Sequence, residues 1–193
     1  MDVIADRITI WLIHNKVIAE KDREIYLYAI YSMLMTFIPI IPILIVEVLL
    51  GDIKGCCIML STFFAIRKFC GGYHMDNPYM CAISSAVTII TVVYLGRGNN
   101  IGWGYISALI IAYIGLFINK PIDSENRRLD EEEKDRCKKI TILICLVTML
   151  IIVLLYALHA YSECNYVMLG VIMAAILQEM GVIKNHFSRE YRK

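Results

Sequence analysis

From residue 140 to residue 158 the chain carries no Asp, Glu, Lys or Arg, and long apolar runs recur at 25–50, 80–96, 103–119 and 165–183. A helix rising about 1.5 Å per residue needs about 20 such residues to cross a hydrocarbon core of roughly 30 Å. The run at 55–66 would reach only about 18 Å as a helix, so it is expected to be a short or re-entrant segment. These six hydrophobic segments predict an all-α, polytopic membrane protein built as a single domain over residues 1–193. Composition agrees: 59% of the residues are apolar and 19% charged, more hydrophobic side chain than one small soluble core can absorb.

Residues 1–24 set Ile4, Ile8, Trp11, Leu12 and Ile18 at near-helical spacing, with Asp6, Arg7, Lys16, Glu20 and Lys21 mostly elsewhere. They read as an interfacial amphipathic helix lying on membrane lipids, or as a helix packed on the rest of the protein. Acidic residues stand where a signal peptide would be basic, so no cleaved signal is expected. Pro39 and Pro42 should kink the 25–50 segment, and Glu47 near its end either reaches the interface or serves function.

Lys and Arg alternate strongly between connections. Arg7, Lys16, Lys21, Arg23, Arg67, Lys68, the 120–139 loop and Lys184–Lys193 fall on one side, against Lys54 and Arg97 on the other. The positive-inside rule then puts both termini and the 67–80 segment on the cytoplasmic side. The net charge of +1 gives no basis for binding nucleic acid. Seven scattered cysteines, an odd number, predict no disulfide framework. In the charged 120–139 loop, Lys120, Arg127 and Arg128 could hold an acidic stretch of a peptide partner, or the loop could be solvated surface.

Chemistry concentrates in one segment. Residues 67–81 read Arg-Lys-Phe-Cys-Gly-Gly-Tyr-His-Met-Asp-Asn-Pro-Tyr-Met-Cys, polar and glycine-broken between apolar runs. An imidazole can take the proton of a thiol, which pairs His74 as base with Cys81 as nucleophile. On one straight helix their spacing of seven would separate them by about 10 Å, so the chain must break between them. Gly71-Gly72 and Asn77-Pro78 supply the breaks, and Pro78 is suited to open a helix whose first turn holds Cys81, where unpaired N–H groups favour a thiolate. Arg67 could orient substrate, anchor a lipid phosphate, or act with Lys68 as a plain interfacial anchor. A metal site from Cys70, His74, Asp76 and Cys81 is the rival, but its spacing matches no strong zinc pattern. Neither metal nor cofactor is expected.

The core Arg67-x4-Gly72-x-His74-x6-Cys81, the flanking apolar spans, and Lys120-Pro121 opening a charged loop together resemble the AgrB family of membrane-embedded cysteine endopeptidases. The resemblance covers most of the chain. It implies that Cys81 attacks a peptide bond of an AgrD-like quorum-sensing propeptide, with His74 as general base and Arg67 and Gly72 binding or orienting the substrate. The acyl-enzyme thioester is then captured by a side chain of the propeptide, giving a cyclic lactone or thiolactone. It also implies residence in the bacterial cytoplasmic membrane and a propeptide with an amphipathic helix and an acidic tail. The acidic residues within 120–139 depart from the more basic loop of many members. Short and kinked spans leave room for a homodimer. A small transporter or assembly factor is the alternative class, with Glu47 and Gln178-Glu179 as its intramembrane polar groups.

Overall fold

The computed structural model describes residues 2–37, 51, 53–72, 102–122 and 130–190, together with positions 41, 45, 48, 86–88, 90–91 and 94–96. Among the described residues every regular element is helical. The helices are α1 (Asp2–His14), α2 (Arg23–Phe37), α3 (Ile53–Cys70), α4 (Trp103–Ile118), α5 (Glu131–Ala157) and α6 (Tyr161–Glu190), with a 3-10 turn at Glu20–Asp22 before α2. Two are long and apolar enough to cross a membrane: α5, and α6 over Tyr161–Lys184. The 16-residue α4 is apolar but shorter, about 24 Å.

The central element is α6. Cys164, Asn165, Tyr166, Val167, Met168, Leu169, Val171, Ala174 and Ala175 are all buried, so the helix is enclosed on every side through this stretch. Against it α3 presents Cys56, Met59, Leu60, Phe63, Ile66 and Cys70, spaced three or four apart on one face. The two helices run in the same direction. Lys54 Nζ meets Glu163 Oε1 at 2.6 Å near their starts. Further along, a Cβ at Gly170 would lie 2.8 Å from the Met59 carbonyl oxygen and 2.9 Å from Thr62 Cβ. The missing side chain therefore allows the close backbone approach that helix packing in a membrane uses in place of a hydrophobic driving force.

Running the opposite way, α5 lies against α4 and α6. Lys138 Nζ donates to the carbonyls of Leu116, at 3.0 Å, and Asn119. Deeper in the bundle Tyr113 Oη and Thr148 Oγ1 share a hydrogen bond of 3.0 Å. The buried face of α5 is Thr141, Cys145 and Thr148, while Leu143, Leu146, Val147, Leu150, Val153 and Leu154 point outward.

Two local outcomes differ from the sequence expectations. The N-terminal segment is not helical throughout 1–24. Helix α1 ends at His14 and the chain reverses through Lys16, with φ +56°, so that α2 folds back on α1 and Arg23 Nη2 reaches Asp6 Oδ1 at 2.6 Å. The 120–139 segment is not loop throughout either, because α5 begins at Glu131. The Asp130 amide donates to Glu133 Oε2 at 3.4 Å, and Glu131, Glu132 and Glu133 occupy the first turn, where acidic groups offset the helix dipole. The remainder of the expected 25–50 and 80–96 spans is described only at scattered positions, all of them helical.

Candidate functional site

The short apolar run at 55–66 becomes a longer helix because Arg67, Lys68, Phe69 and Cys70 continue it, giving α3 18 residues and about 27 Å. It stops at the first glycine of the pair. Gly71 has φ +72°, the left-handed conformation that closes helices and that side chains resist, and its amide still donates to the Arg67 carbonyl at 3.0 Å. The next free carbonyl, of Cys70, accepts from the amide of Ile122 at 3.1 Å, which ties the end of α3 to the connection after α4. A Cβ on Gly71 would fall 2.6 Å from the Ile122 carbonyl oxygen, so conformation and space both require glycine. At Gly72 a Cβ would lie 2.8 Å from Arg67 Nη1 and 3.3 Å from the Leu177 carbonyl oxygen. The chain thus enters the segment that follows while pressed between the Arg67 guanidinium and the backbone of α6.

Arg67 is half-buried and its guanidinium carbon stands 5.6 Å from the centre of the Phe63 ring, a cation–π contact within its own helix. The Cys70 thiol is fully buried and donates to the Gly71 carbonyl at 3.2 Å, so it belongs to the packing of the helix end.

The same end of the bundle carries a second polar group that the sequence reading did not assemble. Asn119, just past α4, donates from Nδ2 to Glu179 Oε1 at 2.5 Å. The carboxylate is seated over Gly115, where a Cβ would come within 2.5 Å of Oε1. Lys138 crosses from α5 to hold the last carbonyls of α4, the position where a cation best offsets the helix dipole. Next to Glu179, Gln178 is 1% exposed and its Oε1 has no hydrogen-bond partner among the described residues. Two polar residues interrupting an apolar run were the available signal, but their sequence could not tell which was enclosed.

Of the residues singled out from sequence, Arg67 and Gly72 are brought together at the end of α3. Lys120 stands apart on the exposed rim, 3.7 Å from Glu131 Oε2, with Lys134 also on Glu131 at 3.0 Å. An acidic residue at the start of α5 therefore already engages the lysine considered for holding an acidic peptide. His74, Cys81, Asp76, Arg127, Arg128 and Glu47 lie outside the described residues. Arg67, Lys68, Lys120, Lys134 and Lys138 gather at this end of α3 to α6 together with Glu131, Glu132, Glu133 and Glu179, and at the other end of α3 Lys54 pairs with Glu163.

The profile of the accessory gene regulator B family, AgrB, matches residues 5–178. AgrB-like protein 2 of Clostridium perfringens strain 13 is 28% identical over 188 residues, 86% of this chain and 88% of that protein. An AgrB-like protein of Clostridium perfringens strain SM101 is also 28% identical, over 86% of each chain. Accessory gene regulator protein B of Staphylococcus saprophyticus is 29% identical over 123 residues, 61% of this chain and 60% of its own. No solved structure matches the chain. With a family profile that spans the core of α3, the Gly71-Gly72 turn and α6 as far as Gln178, the chain belongs to the accessory gene regulator B family.

Proposed function

We propose that this protein is a membrane-embedded cysteine endopeptidase that removes the C-terminal tail of an AgrD-like quorum-sensing propeptide and promotes its cyclisation. Membership of the accessory gene regulator B family supports a part in processing such peptides and an AgrD-type propeptide as partner. Two membrane-crossing helices and an outward-facing apolar surface support a membrane protein. The observation that carries the reading further is the way α3 ends. The Gly71-Gly72 turn ends α3 inside the 67–81 motif and seats Gly72 between the Arg67 guanidinium and the Leu177 carbonyl of α6, so two residues of that motif meet in the folded bundle.

In the proposed reaction His74 takes the proton of the Cys81 thiol, and the thiolate attacks the carbonyl carbon at the end of the future ring. The C–N bond breaks, His74 returns the proton to the departing amine, and the tail leaves as the acyl group remains on Cys81 as a thioester. A hydroxyl or thiol of the propeptide then attacks that carbonyl, closes the ring and restores the Cys81 thiol. Ring closure competes with hydrolysis, so a site that excludes water and holds the internal nucleophile close favours the cyclic product.

The test is co-expression of the protein with its propeptide and mass spectrometry of the peptide. Wild type is expected to release a C-terminal fragment, whereas Cys81→Ala and His74→Ala proteins, present in the membrane at equal amounts, release none. Continued cutting by Cys81→Ala would remove the nucleophile. Sidedness is tested separately by reporter fusions after Lys193 and within 123–129, both expected to report the cytoplasm.

A further inference from the structure

We infer that the groove between α1 and α2 holds one phospholipid whose headgroup carries a primary ammonium. Arg23 takes the phosphate, Asp6 and Glu24 take the ammonium, and an acyl chain runs along α2 over Leu27 and Tyr31. The site is separate from the residues proposed for peptide cleavage and does not depend on that reading.

The groove offers about 650 Å³, inside the roughly 300–1,000 Å³ range of ligand pockets. Val3 of α1 and Leu27, Tyr28 and Tyr31 of α2 form apolar walls, and Asp6, Arg23 and Glu24 supply its charge. Along α2 these groups come in a definite order. Arg23, Leu27 and Tyr31 recur every four residues on one face, so the two apolar side chains stand about 6 and 12 Å beyond the guanidinium along the helix axis. Charge comes first and apolar surface follows, in the direction in which α2 enters the apolar run at 25–50. A phospholipid presents the same order from headgroup to chain. A small soluble ion would use only the charged part, and a plain hydrocarbon only the walls. Val3, Ile4, Ile25 and Tyr28 are exposed on the same two helices, so the groove lies in an apolar surface suited to lipid.

Charge selects the headgroup. One guanidinium stands with two carboxylates. Arg23 uses Nη2 to donate to Asp6 Oδ1 at 2.6 Å, and a guanidinium has five N–H donors in a fork that suits phosphate. Glu24 is exposed and has no ion pair or hydrogen bond among the described residues. A headgroup with a phosphate and no cation would set a further negative charge beside both carboxylates. Phosphoethanolamine instead places an ammonium there, and its three N–H donors match the carboxylate oxygens. Phosphocholine brings the charge without the donors, so it forms the weaker contact.

The experiment uses the full-length protein purified in detergent and stripped of lipid. It is titrated with dioleoyl phosphatidylethanolamine, phosphatidylcholine or phosphatidylglycerol, and native mass spectrometry counts the adducts on each chain. Wild type is expected to take one phosphatidylethanolamine at about tenfold lower lipid concentration than phosphatidylglycerol, with phosphatidylcholine between them. Glu24→Gln removes the exposed carboxylate and touches no described pair, and it should bring the three lipids to within about threefold of one another. Leu27→Trp fills the groove and should weaken all three alike. Arg23→Gln should also weaken all three by removing the phosphate contact. Because Arg23→Gln breaks the pair with Asp6 as well, the decision rests on Glu24→Gln. Several adducts with no headgroup preference, the mark of an ordinary lipid shell, would overturn the proposal. So would a preference for phosphatidylglycerol, which marks a plain basic patch, or a wild-type preference kept by Glu24→Gln.

Discussion

Helices α5 and α6 are both long and apolar enough to cross a membrane, yet the more apolar of the two is the less enclosed. In α5 only 17% of the apolar window is buried by the rest of the protein, compared with 61% in α6. The leucines of α5 face outward while its threonines and Cys145 face inward, and α6 hides Asn165 and Gln178 among small and apolar residues. In water this arrangement would be inverted. It is stable if lipid covers α5, since hydrocarbon tails solvate leucine as well as a core does, and helices then gain more from close contact and internal hydrogen bonds than from hiding apolar surface. On that footing hydropathy in this protein reports exposure to lipid, and proximity to the centre is reported by glycine, alanine and paired polar groups.

The sharpest way to break this comparison is Leu150→Arg on the outer face of α5, where Leu150 is 70% exposed. A surface facing water would accept arginine freely, whereas mid-membrane it costs about 2.5–3.5 kcal/mol. Accumulation in the membrane is expected to fall sharply, and an unchanged level would show that α5 does not face lipid.

Next comes Gly170→Leu in α6. The new side chain would meet the Met59 carbonyl and Thr62 at once, and overpacking of about 1–3 kcal/mol should lower the thermal stability of the detergent-purified protein. Leu150→Ala, the contrasting truncation on α5, is expected to leave that stability nearly unchanged. Equal effects of the two would erase the distinction between the helices.

A similar contrast separates buried and exposed polar contacts. Thr148→Val removes the partner of the Tyr113 hydroxyl inside the bundle and should cost about 1–3 kcal/mol by leaving that hydroxyl unpaired. Lys54→Met breaks the pair with Glu163 at the rim, where the lysine side chain is 75% exposed, and about 0–1 kcal/mol is expected. Thermal melts of the two variants side by side read the difference directly.

Legibility in the sequence followed the same division. The apolar runs at 103–119 and 140–159 announce α4 and the membrane part of α5 because continuous hydrophobicity over that length has few other uses. The start of α5 was hidden, since nine mostly charged residues read as loop even though Glu and Lys are good helix formers and Asp130 stands where a cap belongs. For the α1–α2 reversal, the helical spacing of Ile4, Ile8 and Trp11 gave no sign that the chain would turn at Lys16.

At the candidate site, the glycine pair by itself determined that α3 must end before His74, because only glycine takes the left-handed conformation of Gly71 at little cost. The sequence likewise determined which residues can do chemistry, since a thiol and an imidazole seven positions apart are scarce in so apolar a chain. Tertiary structure alone decided what meets the end of α3 and the polar pair of α6: Ile122 against Gly71, Leu177 against Gly72, Glu179 taken by Asn119, and Gln178 enclosed without a described partner. The physical reason is range. Backbone conformation and hydropathy act within a few neighbouring residues and are written locally, whereas the parallel alignment of α3 with α6 joins positions about a hundred residues apart and exists only once the helices have packed.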